Sequence, residues 1–468
     1  MQTDCISTQL EFQALGHRRV EADFDAGVVT SDAGALLLRE VGRQMRLMDR
    51  VASCFTDARD PDRCEHSIQV LLAQRIYGLA LGYEDVNDHD QLRRDPLLAV
   101  LAESEDPMGQ DRVRTRDRGC ALAGKSTLNR LEQAPLSQHE TRYHRITYSA
   151  ESLDRLLVDL FLESFDHPPR QIILDVDATD DPVHGNQEGR FFHGYYGHYC
   201  YLPLYVFCGD HLLLARLRPS NIDASAGTVA ELAPIIQRIR TRWPKVQIVL
   251  RADSGFARES ILSWCEEEGI DFVIGLAKNS RLIRKSAGSM KEARQRYEKT
   301  QRPARVLGAF WYRTRSTWSR SRWVVSKSEH LAKGGNPRFV VTSLTQVPPQ
   351  ALYEDIYCAR GEMENRIKEQ QLDLFADRTS TARMRSNQLR LYFSSFAYVL
   401  LQTLRRVGLH GTDLARAQCG TIRLKLLKIG ALVTLSVRRV RFRMASGYPY
   451  AELFWQVLRN LRHGLSPG

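Results

Sequence analysis

The sequence contains no long hydrophobic run. Its longest apolar stretches, such as Gly430 to Val437, fall far short of the ~18–20 residues that a membrane-spanning helix requires, and 26% of the residues are charged. A membrane-spanning helix is therefore excluded. The N-terminus, with Asp4 and Glu11, lacks the basic patch and apolar core of a secretory signal, so a cytoplasmic location is expected. No C-x-x-C pair occurs among the nine scattered cysteines, which excludes a zinc half-site of that kind and leaves reduced, mostly buried thiols as the expectation. A G-x-S-x-G motif and a persuasive Cys/His nucleophile arrangement are missing too. His184, His193 and His198 lack the i,i+4 spacing of a zinc pair, so turn or packing roles are expected for them. Repeats and low-complexity tracts are also absent. What remains is a globular composition, 43% hydrophobic over 468 residues, long enough for two or three packed domains.

The net charge of +11 is unevenly spread. Residues 1–166 carry 20 Lys/Arg against 29 Asp/Glu, whereas 167–468 carry 46 against 26. Between Arg281 and His330 there are 14 basic residues and only Glu292, Glu298 and Glu329 opposing them, interleaved with Phe310, Trp311, Tyr312, Trp318 and Trp323. Arginine mixed with aromatic rings suits phosphates and bases together, so nucleic-acid contact is expected there, with Arg313, Arg315, Trp311, Trp318 and Trp323 as candidates.

Along the chain, residues 1–166 read as helical: Thr30, Ser31 and Asp32 offer N-caps to Ala33–Arg46, and further helices are predicted at 68–81, 90–103, 126–133 and 151–165. His167-Pro168-Pro169 marks a boundary. Beyond it the pattern predicts strands at 171–177, 199–208 and 212–217, a helix at 228–243, a strand at 246–250, a helix at 258–268 and a strand at 272–276. Three antiparallel strands followed by parallel β-α units is the element order of a ribonuclease H-like fold. The predicted architecture is thus α/β, a ribonuclease H-like mixed-sheet catalytic core with a helical N-terminal region, a β-rich insertion and a helical C-terminal tail. Its expected segments are 1–166, the first part of the core at 167–278, the basic aromatic insertion at 279–347, completion of the core at 348–410, and a basic helical tail at 411–468.

Asp177 ends the first predicted core strand, Asp253 ends the fourth, and Glu364 lies on the helix after the insertion. Strand ends of an open α/β sheet face a common crevice, so carboxylates distant in sequence can meet there. A carboxylate cluster favours a hard divalent cation such as Mg²⁺, and three such residues are the layout a two-metal phosphoryl-transfer site requires. Tyr357, Arg360, Glu364 and Lys368 are spaced three, four and four apart, which stacks them on one stripe of a regular helix. Asp175 shares a strand face with Asp177, so alternation alone leaves either as the metal-facing residue.

Leu174 to Thr179 (LDVDAT), Leu250 to Phe256 (LRADSGF) and Tyr357 to Glu369 (YCARGEMENRIKE) closely resemble the DDE transposases of bacterial insertion sequences. The resemblance is closest to the subgroup with a Tyr-x-x-Arg-x-x-x-Glu signature, the 1380 family of insertion sequences, and covers nearly the whole chain, including Gly27 to Gly34 (GVVTSDAG). It implies Asp177, Asp253 and Glu364 as the catalytic, metal-binding triad, two Mg²⁺ ions with Mn²⁺ as a substitute, and cut-and-paste transposition by phosphodiester hydrolysis and transesterification. It also implies contacts to double-stranded DNA from Tyr357, Arg360 and Lys368, with Arg251 and Asn221 as further candidates, either as supports behind the metal ligands or as DNA contacts. Terminal inverted repeats would be read by the N-terminal region, target DNA would be joined, and a homodimer would hold two ends together in a bacterial, nucleoid-associated setting. The D-x-T form of the match favours Asp177 over Asp175. One departure stands out: the wider signature has Lys seven positions after the Glu, where this chain has Gln371.

Gly119 to Ser126 satisfies the phosphate-loop pattern G-x-x-x-x-G-K-S, but the polar, arginine-rich residues 109–118 offer no strand to feed such a loop, so no bound nucleotide is expected and Ser126 or Thr127 is predicted to cap a helix. Two rival functions share the same residues: a ribonuclease H-like nuclease without strand transfer, opposed by the aromatic-basic insertion, and a non-catalytic DNA-binding regulator derived from a transposase, opposed by the intact acidic triad.

Overall fold

The computed structural model describes residues 10–137 and 144–464; Asp4 and Cys5 lie outside them. The chain forms two compact units, one of residues 1–52, 59–131 and 403–468, the other of residues 53–58 and 132–402.

The second unit is built on a nine-stranded mixed sheet. Its path runs His211–Arg216, Leu204–Cys208, Gln171–Ala178, Gln247–Ala252, Asp271–Leu276, Arg338–Thr342, Arg322–Leu331 and Ala304–Tyr312, with the short Gly334–Gly335 paired to Arg322–Leu331. The central strand Gln171–Ala178 runs antiparallel to Leu204–Cys208 and parallel to Gln247–Ala252. Strict alternation divides its side chains. Ile172, Leu174 and Val176 join Ile248, Leu250, Ala252 and Phe272 in a core covered by Ala150–Glu163, Thr228–Arg242 and Glu259–Glu267. On the opposite face Val249, Val273, Val325 and Val340 pack with Leu344, Leu352 and Tyr353. Burial on both faces explains why these strands read as near-continuous apolar runs.

Three expectations for this unit change. The strand read as 199–208 is two: His198–Tyr201 joins a small sheet with Asp181–Pro182 and Phe191–His193, while Leu204–Cys208 enters the main sheet. Pro203 lies between them and has no N–H for a ladder. Segment 279–347 is not a mostly β subdomain. It opens with the helices Ser280–Lys285 and Ala287–Thr300, the first capped by Asn279 Oδ1 accepting from the amides of Arg281 and Leu282. Its strands then extend the central sheet, because Arg338–Thr342 pairs antiparallel with Asp271–Leu276. The regular helix expected to carry Tyr357, Arg360 and Glu364 begins instead at Pro349 and passes through a π-helical turn at Leu352–Tyr357 and a 3₁₀ turn at Cys358–Arg360 before the regular helix Gly361–Leu374.

The first unit is less helical than its sequence suggested. Leu10–Leu15 and Arg18–Ala22 form an antiparallel hairpin, a period-two pattern outweighed in the reading by the helical segments that follow. The helix expected at 90–103 breaks into His89–Leu92 and Pro96–Leu101, since Pro96 cannot donate within a helix and is accommodated at its first turn, where Asp95 Oδ1 accepts from the Leu97 amide at 2.8 Å. Segment 411–468 is not a purely helical tail either: Ala431–Ser436 and Arg439–Met444 form a hairpin that pairs with Val29–Thr30, ahead of the final helix Ala451–Gly464. Chain start and end therefore fold together. Gly34 permits this: a Cβ there would stand 2.0 Å from the Leu426 carbonyl oxygen. Beside it, buried Asp32 takes the Lys428 ammonium at 2.5 Å and the Tyr83 hydroxyl at 2.7 Å.

The phosphate-loop pattern is preceded by a 3₁₀ turn at Thr115–Asp117, with no strand leading into it. Its helix starts at Lys125, one residue before the expected Ser126, and the Lys125 ammonium pairs with Asp90 at 3.1 Å. Among the described residues no helix is long and apolar enough to cross a membrane.

Candidate active site

The apolar alternation of Gln171–Ala178 places Asp175 and Asp177 on the sheet face that packs against the segment carrying Tyr357, Arg360 and Glu364. The two aspartates then part company. Asp175 lies opposite Arg251 in the parallel register, and its carboxylate takes both Nε and Nη2 of that arginine, the latter at 2.7 Å, with both side chains buried. Arg251 also donates to the Ile356 carbonyl, which ties the sheet to the start of the Glu364 segment. Asp177, two residues further on, sits at the strand's end. Its Oδ1 accepts from the Ala178 amide at 2.9 Å, and its Oδ2 accepts from Arg360 Nη1 at 3.0 Å.

Arg360 is the centre of the arrangement. One arm of its guanidinium reaches Asp177 and the other donates to Glu364 Oε1 at 2.6 Å, so a single forked cation joins the strand end to the helix. Asp253 arrives from the next strand. It follows Gln247–Ala252 and caps the turn Ser254–Phe256, its Oδ1 accepting from the Gly255 amide at 2.8 Å. Burial pushes the Asp177 carboxyl up to about 6; Arg360 opposes the rise, and the negative charges of Asp253 and Glu364 reinforce it. Burial likewise raises the Tyr357 phenol, with Arg360 opposing and Asp253 adding to the rise. Asp253, Glu364, Tyr357 and Arg360 thus share one electrostatic neighbourhood with Asp177. Gly275, on the strand beside Asp253, makes the close approach possible. A Cβ there would fall 2.5 Å from the Tyr357 hydroxyl and 2.9 Å from the Ser254 amide.

A family model described as transposase DDE domain group 1 matches residues 12–465. The chain belongs to the DDE transposase family. No curated protein matches it. A piggyBac transposase in a synaptic complex with hairpin DNA, solved by cryo-EM, is similar at 11% identity with a TM-score of 0.42, over 94% of this chain and 86% of that one.

DDE transposases generally use divalent metal ions. The donor set here suits one: partly buried carboxylates of like charge gain from a hard cation, and the Asp177 carboxyl, raised first by burial, is raised further by the charges of Asp253 and Glu364. Among the described residues, however, no three His, Cys, Asp or Glu stand close enough to share an ion. The Arg360 guanidinium occupies the space between Asp177 and Glu364 and supplies the positive charge.

Gln371 stands where the wider transposase signature has lysine. Its Nε2 donates to Asp181 Oδ1 at 2.8 Å and to the Asp180 carbonyl at 3.2 Å. Asp181 is fully buried, and burial pushes its carboxyl up to about 8, so a neutral amide meets a neutral acid. Lys368 is exposed on the Glu364 helix.

The other expected DNA contacts divide by exposure. Trp311 is 57% exposed and packs edge-on against half-buried Trp323 with centroids 5.3 Å apart. Arg313, Arg315 and Asn221 are exposed. Two of these side chains are not presented at the surface. Trp318 is buried under the Arg322 guanidinium, against Tyr312, and presents no ring to a base. Arg251 is locked on Asp175 and presents no guanidinium to a phosphate. The basic run is also less bare than its composition implied: Arg322 pairs with Glu259 and Glu266, Arg305 with Glu329 and Glu354, and Lys327 with Glu329, several of these acids lying outside the run. Sequence reasoning missed the segment that follows Asp177, where His198 Nε2 meets Asp180 Oδ2 at 2.7 Å and Phe191, Phe192, Tyr195 and Tyr199 are exposed. Its signal was the density of Phe, Tyr and Gly at 189–201.

Proposed function

We propose that this transposase cuts and joins DNA at the terminal inverted repeats of its own insertion sequence, with Asp177, Asp253 and Glu364 as the ligands of Mg²⁺ on a ribonuclease H-like core. The observation that carries the reading is the convergence of Asp177 and Asp253, at adjacent strand ends, with Glu364 on the helix that follows: Arg360 bonds Asp177 and Glu364, and the charge of Asp253 acts on both Asp177 and Arg360. Bound there, two Mg²⁺ ions would supply an activated hydroxyl and stabilise the leaving oxygen of an in-line displacement. The chain's own residues do the rest. Asp177 and Asp253 are fixed by the backbone amides they accept from, so their carboxylates are positioned before any ligand arrives. Arg360, already placed between Asp177 and Glu364, is suited to take a phosphate oxygen when those carboxylates turn to an ion. Tyr357 closes the site on the Gly275 side, and Lys368 with exposed Arg313 and Arg315 offers charge to the flanking backbone. Hydrolysis frees a 3′ hydroxyl at the element end, and that hydroxyl attacks a second phosphodiester, which is strand transfer. Two ends must be held together for this, so a homodimer on DNA is part of the proposal.

The test is cleavage of linear DNA bearing one element end, with Asp253→Ala beside the wild type. The variant should retain end binding within about twofold and lose cleavage by at least ~10³-fold, the scale of a lost phosphoryl-transfer ligand. Cleavage retained by the variant would remove Asp253 from the centre.

A further inference from the structure

The segment between the first two core strands is pinned at its root and bare at its tip. Gln187 Nε2 donates to the Thr379 carbonyl at 2.6 Å, the Glu188 amide donates to the Ala382 carbonyl at 2.8 Å, and the Tyr201 hydroxyl donates to the Glu188 carbonyl at 2.6 Å. The Ser220 hydroxyl both accepts from the Phe191 amide and donates to its carbonyl. From this anchored base Phe191–His193 and His198–Tyr201 rise as a hairpin turning through Gly194–Gly197. Its rings face outward: Phe191 is 42% exposed, Phe192 58%, Tyr195 87% and Tyr199 47%. They are held in order by one another, Phe192 edge-on to Tyr199 at 5.7 Å and Tyr195 edge-on to Tyr196 at 5.0 Å, with the Arg190 guanidinium over the Tyr199 ring at 4.6 Å.

We propose that this aromatic hairpin is a stacking platform for unpaired DNA bases next to the cleavage point. The inference rests on the transposase reading and deepens it by naming a substrate feature, a melted or forked end. Four exposed rings in nine residues are costly in water unless something covers them, and every base has a face that stacks on a ring without regard to sequence. The platform adjoins the carboxylate centre. His198 anchors it to Asp180, and the Tyr196 phenol, pushed up to about 12 chiefly by burial, also feels the charges of Asp180 and Asp177. Arg190 adds a cation beside the rings where a phosphate would follow its base.

The test uses the full chain in EDTA, so that no chemistry intervenes, and two probes of one sequence: a blunt duplex, and a duplex whose end is a noncomplementary fork carrying 2-aminopurine. Wild-type protein should prefer the fork and quench the 2-aminopurine. Phe192→Ala with Tyr195→Ala should weaken fork binding about tenfold and abolish quenching, leaving blunt-duplex affinity unchanged, whereas Tyr195→Phe should keep the fork preference. Fork affinity unaffected by the double variant would overturn the proposal, as would a change of oligomeric state, which would make the rings a protein-protein contact. Failure here, with Mg²⁺-dependent cleavage by the wild type intact, sinks the platform alone; absent cleavage sinks the transposase reading whatever the fork binding shows.

Discussion

Partly buried Arg360 and buried Arg251 are both paired to aspartates of one strand, yet their expected roles differ. Arg360 joins Asp177 to Glu364 at the edge of the crevice, where a phosphate can compete for it. Its replacement by Lys keeps the charge but loses the fork, so Arg360→Lys should lower the cleavage rate by ~10²-fold or more with little loss of stability. Single-turnover cleavage measures this, and near wild-type rates would contradict it. Arg251 is sealed against Asp175 inside the sheet. Arg251→Ala leaves a buried carboxylate unpaired and should cost about 3–5 kcal/mol in urea unfolding, the price of breaking rather than deleting a buried pair. A variant that lost DNA affinity at full stability would restore Arg251 to the DNA surface. Periodicity could not separate the two arginines, nor Asp175 from Asp177. Alternation put both aspartates on one face; the D-x-T motif favoured Asp177, and the parallel register that sets Arg251 opposite Asp175 gives the physical difference between them.

At the scale of elements, strands and helices whose side chains see one partner surface were legible. Gln171–Ala178 and Thr228–Arg242 appear within a residue of where Ile172, Ile173 and Leu174 and the spacing of Leu232, Ile235, Ile236 and Ile239 put them. Pairing was not legible. That Arg338–Thr342 returns to Asp271–Leu276, making the insertion's strands part of the central sheet, depends on contacts more than sixty residues apart that no local pattern encodes. The irregular turns at Leu352–Arg360 were equally hidden, because Tyr357, Arg360 and Glu364 keep helical spacing on paper. The fit between elements is tight at Gly275. Gly275→Ala would drive a methyl into the Tyr357 hydroxyl or the Ser254 amide beside Asp253. It should destabilise by about 1–3 kcal/mol and impair cleavage beyond that loss; a fully active Gly275→Ala protein, checked in the same cleavage assay, would show that this approach is not needed.

On the scale of the whole molecule, the first unit carries an acid-sensitive element that composition did not reveal. His66 is pushed down to about 4, by burial first and then by Arg112, Arg93 and Arg59, with Arg112 Nη1 at 2.6 Å from its Nε2. His89, buried between Gln74 and Arg75, is pushed down to about 3 by burial and by Arg75. A depressed folded-state pKa means that the unfolded chain takes up the proton first. The stability from these neutral rings is complete above about pH 6.5 and lost as pH falls through about 4, roughly 3 kcal/mol for His66 alone. His66→Gln should flatten the dependence of unfolding free energy on pH between about 6.5 and 4, as read by urea titrations at several pH values; an unchanged slope would contradict the assignment. The charge imbalance along the sequence pointed to the second half as the more basic surface, but the folded chain pairs part of its basic run with Glu259, Glu266 and Glu354. Exposed Arg313, Arg315 and Lys368 then remain as the candidates for phosphate contact.

The most direct measurement is element release and strand transfer by purified protein on a plasmid carrying the DNA that flanks its own gene, with Mg²⁺, without ATP, beside Asp253→Ala and Glu364→Ala. Paired cuts at inverted repeats and joined products that need Mg²⁺ and vanish in both variants are the predicted result. DNA binding without any cut, or cutting that survives both substitutions, would contradict the assignment of the carboxylates around Arg360 as the catalytic centre.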